Sequence, residues 1–407
     1  MSLLLTESFD LYAAVSDATL RGWTLAAGMP TIETTVVKDG RACLSVDGNE
    51  RLKFTFGSAQ SVVYLACWFR FNYDPLTAQI MLRVGNATTD ANLRLQLGTD
   101  RKLSILDAVG VVRGTSTVAY AKDTWHFLEL RIVHSDSTAA NDVVLWMNGQ
   151  EAINLPAGTD TAYVGTTITD FSFVGSDSIG NNHYFDSLCV WNTAGSAPWN
   201  SYVAEYRMSC LRPSGNGSSS GCVGSDGNSV DNYLLVDDPT SDADTTYVQS
   251  DAALDVDLYV CDDLPASAGN VLAVHSLALW KKTSGASKVS RQVCRIGGTN
   301  YESGDVSPTT AYAWHSRLME TSPATSAAWS VSEINAAEFG VKDQSGGSSL
   351  RLTQLAMETV WQASPAGMVK AYVGGVWKKA PAKAYVGGTW KTAPAKVYVG
   401  GAWKPPG

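Results

Sequence analysis

The sequence predicts an all-β protein: two antiparallel β-sandwiches in tandem, closed by short β-hairpin repeats. Three observations carry this. Apolar and polar residues alternate with period two, as in "NLRLQLG" and "TWHFLELRIVH". The composition favours strands and tight turns, with 13 Trp, 16 Tyr and 36 Gly in 407 residues. The C-terminal segment repeats one motif three times, with Tyr372, Tyr385 and Tyr398 spaced 13 residues apart and Trp377, Trp390 and Trp403 spaced alike. Hydrophobic residues make up 45% and charged residues 17%, which fits an ordered globular chain long enough for two or three domains.

The first sandwich is expected over 1–200. Leu93, Leu95 and Leu97 share one strand face, opposite Asn92, Arg94 and Gln96. His126, Leu128, Leu130 and Ile132 oppose Trp125, Phe127, Glu129 and Arg131, which implies strands with one covered face. In "VVLWMNGQEAINL", Asn148-Gly149 supplies the two positive-φ positions of a type I′ turn and pairs Trp146 with Glu151. The Gly/Ser/Asn-rich stretch at 213–229 reads either as a flexible linker or as a loop inside the second unit. That unit, a smaller sandwich over 201–362, is mostly strand. One helical turn is expected at Ile334–Ala337, capped by Ser332.

The repeats fill 363–407. In each, a Gly-Gly pair forms a two-residue turn and sets Tyr372 against Trp377, Tyr385 against Trp390, and Tyr398 against Trp403. Such aromatic cross-strand pairs add about 0.2–1 kcal/mol each. A lone two-stranded hairpin is marginal in water, so each unit must pack on a neighbour, the body or another chain. The six aromatic residues are therefore the expected partner-binding surface, with flanking lysines and with avidity from repetition.

Charge is unevenly placed. Residues 368–407 hold seven Lys and no acid; the remaining 23 basic residues face 39 acidic ones, a balance of −16 for the first 367. An acidic body repels phosphate and argues against nucleic acid, while the basic tail suits an acidic protein surface. The opening "MSLLLTESFDLY" lacks the basic start and long apolar run of a secretory signal, and no run of 18 apolar residues exists, so synthesis in the cytoplasm and no membrane contact are expected. Seven Cys show no CxxC spacing. Most sit in apolar strand patterns as small buried side chains, and Cys210 and Cys222, which flank a loop, are a possible disulfide.

No sequence pattern carries catalytic or metal chemistry. The five His lie outside HxH, HExxH or triad spacings, and no phosphate loop is present. Glycosidase chemistry needs two carboxylates across the scissile bond, and Glu7 and Asp10 fall on opposite strand faces. No catalytic residue, metal or cofactor is therefore expected, nor an enzyme. Asp186, followed by Ser187 rather than a second acid, is expected to cap a turn.

Several segments resemble a known family. "LLLTESFDLY", "KDTWHFLELRIVHSD", "VVLWMNGQEAINL" and "NNHYFDSLCVWN" are similar to the concanavalin A/laminin-G-like jelly roll common in tailed-bacteriophage virion proteins. The second unit, through "GGTNYESGDVSPTTAYAWHSRLMETSP" and "LRLTQLAMETVW", looks like a domain often found beside it, and the terminal repeats resemble Tyr/Trp hairpins that end such proteins. The resemblance implies a non-enzymatic structural component of a virion, a tail or collar fibre or a capsid-surface decoration. It further implies assembly as a homotrimer through the repeats and contact with other virion proteins. The alternative is a carbohydrate-binding host-attachment protein, with Trp23, Trp191 and Trp199 as candidate contacts at the sandwich rim; a polysaccharide hydrolase ranks below both.

Overall fold

The computed structural model describes residues 2–86, 89–134, 142–159, 167–345 and 347–364 (backbone alone for 89–92) and the backbone of six strands beyond 367. The chain is all-β, as predicted. In the first sandwich an eight-stranded sheet runs Gln150–Leu155, Asp142–Met147, His126–Val133, Val62–Phe71, His183–Trp191, Cys43–Val46 and Thr31–Glu33, with Leu3–Glu7 pairing the end of His183–Trp191. A seven-stranded sheet faces it, in the order Val112–Thr115, Leu103–Leu106, Thr89–Leu97, Gln79–Asn86, Ile168–Val174, Arg51–Gln60 and Trp23–Ala27. Leu93, Leu95 and Leu97 meet Phe69, Leu128 and Leu130 in the core between them. Each such side chain contributes about 1.5–3 kcal/mol on burial. The Asn148-Gly149 turn has φ of 52° and 75°, and Trp146 pairs with Glu151 as predicted.

The expectation of one covered face fails for the eight-stranded sheet. All nine residues of His183–Trp191 are buried, because the outer face of this sheet lies under the joining segment 192–206 and the second sandwich. Trp68, Phe127 and Trp191 pack there against Trp199, Tyr206, Leu272 and Val360. Three polar ring atoms at this junction find carbonyls. Trp199 Nε1 donates to Leu272 O at 3.1 Å, Trp68 Nε1 to Tyr206 O at 2.9 Å, and the Tyr206 hydroxyl to Ala66 O at 2.7 Å. Glu129, predicted solvent-facing, accepts from Val203 N at 2.7 Å and Ala204 N at 3.3 Å.

The second sandwich pairs two sheets. One runs Val223–Gly224, Val248–Ser250, Leu350–Ala363, Ala268–Lys282 and Ala313–Met319, with Arg207–Leu211 also on Leu350–Ala363. The other runs Pro213–Ser220, Val256–Cys261, Glu338–Asp343, Ser290–Ile296 and Thr299–Glu302. The Gly/Ser-rich stretch therefore lies within this unit, and its first half is a strand, not a flexible linker. Its glycines permit close approach: a Cβ on Gly217 would sit 2.8 Å from the Leu258 carbonyl carbon, and one on Gly221 2.9 Å from Val256 N. The single α-helix spans Val331–Ala336 among the described residues, capped by Ser330 rather than Ser332: the Ser330 hydroxyl accepts from Glu333 N at 3.1 Å.

The predicted Cys210–Cys222 disulfide is not formed, and all seven thiols are free. Cys210 packs against the first sandwich's core while Cys222 sits in the core of the second, so the two side chains point into different clusters. Beyond residue 367 the strands form three hairpins in the predicted register, Tyr372 opposite Trp377, Tyr385 opposite Trp390 and Tyr398 opposite Trp403. The side chains of these six aromatic residues, and the Gly-Gly turns, lie outside the described residues. No helix among the described residues is long and apolar enough to cross a membrane.

Candidate functional site: the groove between the sandwiches

Where the sandwiches meet, one cation serves two acids. Arg21 ends a short 3-10 helix, Val15–Arg21, that follows the first strand; Gly22, at φ 91°, turns the chain into Trp23–Ala27. From there Arg21 Nη1 reaches Glu7 Oε1 at 2.9 Å in the first sandwich and Glu358 Oε1 at 3.0 Å in the second. Arg21 Nη2 donates to Glu358 Oε2 at 3.1 Å and to Thr6 O at 2.7 Å. Glu358 also accepts from Thr6 Oγ1 at 2.6 Å and Ser8 N at 2.8 Å. His275 Nδ1 lies 2.7 Å from Thr6 Oγ1; since that hydroxyl spends its proton on Glu358, His275 is the donor. Glu7 receives three further donors, Phe9 N, the Tyr12 hydroxyl and Trp23 Nε1. One guanidinium cannot neutralise two buried carboxylates. Burial pushes Glu7 up to about 7, while Arg21 and His275 hold Glu358 well below its ordinary value.

Above this cluster the sandwiches leave a groove of about 1280 Å³, larger than the roughly 300–1,000 Å³ usual for small-molecule pockets. Leu3–Leu5, Leu20–Gly22 and Phe54 form its first-sandwich wall; the edge strand Ala313–Met319, the 302–306 loop and Gln292 form the other. Three side chains give it chemical character. Trp314, half-buried, presents an aromatic surface. Gln292 is 2% exposed, and its Nε2 donates to His315 O at 2.6 Å while its buried Oε1 has no partner. Arg317 donates from Nη1 to Tyr301 O at 2.6 Å and has no carboxylate partner among the described residues; burial pushes it below its ordinary value. The groove's acids are engaged. Glu302 accepts from Lys342 and Arg291, each at 2.8 Å, Asp305 from Arg291 at 2.6 Å, and Glu320 from Leu3 N at 2.7 Å.

The residues singled out from sequence are elsewhere. Trp23, Trp191 and Trp199 are 2%, 0% and 1% exposed and belong to the cores, so none contacts a ligand at a rim. Asp186 holds the 38–42 loop, accepting from Lys38 N at 2.9 Å and Asp39 N at 3.2 Å, beside Asp10, which accepts from Ala42 N at 2.7 Å. Gly40 is required there, because a Cβ would sit 2.0 Å from Asp10 Oδ2. Among the described residues no group of three His, Cys, Asp or Glu side chains is placed to hold a metal ion. His183 is a core residue: its Nδ1 donates to Val174 O at 2.8 Å and its Nε2 accepts from the Tyr73 hydroxyl at 2.7 Å. Sequence reading missed Gln292, Trp314 and Arg317. The only trace was a Gln or Arg among apolar alternation in "SRQVCRI" and "WHSRLM".

No protein-family model matches the chain, and no curated protein is similar to it in sequence. Its fold is similar to solved structures. Cellulose induced protein Cip1 is 16% identical over 46% of this chain and 96% of its own, with a TM-score of 0.36. Alginate lyase Aly36B is 15% identical over 46% and 96%, with a TM-score of 0.35. A carbohydrate esterase of the Shiga toxin-encoding bacteriophage phi24B is 16% identical over 46% and 97%, with a TM-score of 0.33. These values speak to the β-sandwich alone. Enzymes nevertheless stand among the structures this chain is similar to, so the expectation that it is not an enzyme, drawn from missing sequence motifs, is withdrawn.

The buried carboxylates give the chain a pH signature. Burial pushes both Glu7 and Glu129 up to about 7, from an unfolded value of 4.5. Between pH 8 and 6.5 the folded chain takes up protons at these sites and the unfolded chain does not. Their contribution to stability therefore rises as pH falls through this window, by roughly 1 kcal/mol per group. Histidines oppose the trend within the same window, because the unfolded chain's imidazoles, near 6.5, gain protons while burial holds His126, His183, His275 and His315 below that value. Measured against Glu129→Gln, the calorimetric unfolding midpoint of the wild-type chain should climb from pH 8 to 6.5; a difference that stays flat or falls would contradict this account of Glu129.

Proposed function

We propose that this chain binds carbohydrate in the groove between its sandwiches and serves in host attachment on a bacteriophage virion. The observation that carries the reading is the groove itself, a concave surface lined by both an aromatic side chain, Trp314, and a buried acceptor without a partner, Gln292 Oε1. A sugar ring offers both complements: an apolar face of C–H groups for the indole and hydroxyls for the amide oxygen. A buried acceptor left unpaired costs about 1–3 kcal/mol, which a ligand hydroxyl would recover. The groove's volume of about 1280 Å³ suits several linked sugars, and the strands in both walls keep its shape before binding, which lowers the entropic cost of association.

The virion role and the homotrimer are proposed on the family resemblance and on the basic Tyr/Trp hairpins, whose seven lysines complement an acidic body. In this reading the sandwiches meet the host and the repeats join copies to each other or to the particle. Two measurements test it. The soluble chain should retain glycans on an array, and Trp314→Ala should weaken capture at least about tenfold with an unchanged far-ultraviolet spectrum; no retained glycan overturns the binding reading. Deleting 370–407 should leave glycan capture intact and convert the oligomer to monomer by light scattering. An oligomer that survives the deletion would overturn the role of the repeats.

A further inference from the structure

Resting on the carbohydrate reading, we propose that the groove selects an acidic saccharide, one whose sugar carboxylate is taken by Arg317. The case begins with an imbalance of charge. Of the cations that line the groove, Arg21 is committed to Glu7 and Glu358, and its charge is spent inside the cluster. The nearby Arg291 and Lys342 are committed to Glu302, and Arg291 also to Asp305. His275 is held neutral at pH 7, since burial pushes it below its ordinary value. Arg317 stands apart. Its one bond is to the neutral carbonyl of Tyr301, and no carboxylate pairs with it among the described residues.

A guanidinium withdrawn from water without a counter-charge is costly, and it carries a planar fork of donors matched to a carboxylate. Only one of its donors is engaged by Tyr301 O. Gln292 supplies the second element. Its free Oε1 is an acceptor and would repel a carboxylate oxygen, so it reads a hydroxyl and leaves the acidic group to Arg317. Trp314 and Arg317 lie at odd separation on the edge strand Ala313–Met319, so their side chains leave opposite faces of it, yet both line the groove. A ligand that touches both must pass across the strand edge, which favours a chain of sugars over a single ring. The acidic body repels a polyanion at long range, but beyond about 8 Å that field is screened at physiological salt, and the contact at Arg317 decides.

The shared chemistry is a sugar carboxylate, from a uronic-acid chain or from a terminal sialic acid. The full-length chain is titrated with four probes: oligogalacturonate, its carboxyl-reduced counterpart, a sialylated oligosaccharide and the same oligosaccharide without sialic acid. One acidic member should bind at least tenfold more tightly than its neutral partner, and which pair shows the gap names the source. Arg317→Gln should close that gap to within about twofold while binding the neutral partner as before. Arg317→Gln should also keep or raise the unfolding midpoint, because it removes an uncompensated charge; a lowered midpoint would mark Arg317 as structural and overturn the proposal. Equal affinity for acidic and neutral partners, or a gap that survives in Arg317→Gln, also overturns it and leaves the carbohydrate reading standing. Binding of none of the four, with an empty glycan array, overturns both.

Discussion

A single guanidinium shared by Glu7 and Glu358 is the constraint on which the rest of this structure depends. It ties the first strand of one sandwich to the longest-paired strand of the other, in a site where all three side chains are almost wholly removed from water. Such a triad adds little net stability when complete, because the desolvation of its charges offsets their attraction. Removing one member is different, and typically costs 3–5 kcal/mol, because a buried charge is left without a partner. What the triad contributes here is register. Arg21 reaches both acids only if Val15–Arg21, Leu3–Glu7 and Leu350–Ala363 hold one relative position, and that position sets the width of the groove.

The apolar junction has the same consequence from the other side. The eight-stranded sheet is covered on both faces, so the sandwiches behave as layers of one body rather than beads on a string. Trp199 illustrates how. It sits in the joining segment, stacks edge-on against Trp191 at 5.4 Å, and donates its ring N–H to Leu272 in the second sandwich. Burial of such rings supplies the affinity between the units, and the matched carbonyls supply the orientation. The groove with Trp314, Gln292 and Arg317 is a product of this docking, since neither sandwich alone has both walls.

This explains what could and could not be read from the sequence. Local rules sufficed for strands whose neighbours are adjacent in the chain. The Asn148-Gly149 turn dictates its register by backbone sterics alone, and the Tyr–Trp pairing of the three C-terminal strand pairs is readable from the spacing of the repeat. Where residues answer to distant partners, local rules failed. Glu129 reads as solvent-facing by alternation but is capped by the backbone of 203–204. Glycines at 217 and 221 read as flexibility but are there for close approach of a neighbouring strand. Trp23, Trp191 and Trp199 read as rim contacts but fill cores, because large rings go wherever the greatest apolar area can be covered. The groove residues are harder still: Gln292 and Arg317 look like ordinary polar alternation until the edge strand Ala313–Met319 is seen beside them.

The claim that Arg21 locks the two sandwiches into one unit is tested most directly by Arg21→Ala under equilibrium denaturation in guanidinium chloride. Tryptophan fluorescence and far-ultraviolet circular dichroism would be followed together. The wild-type chain should unfold in one transition by both probes. The variant should lose about 3–5 kcal/mol at the junction and split into two transitions, because each sandwich keeps its own core while the coupling between them fails. If Arg21→Ala unfolds in a single transition at the wild-type midpoint, the shared guanidinium does not hold the units together, and the groove owes its shape to something else.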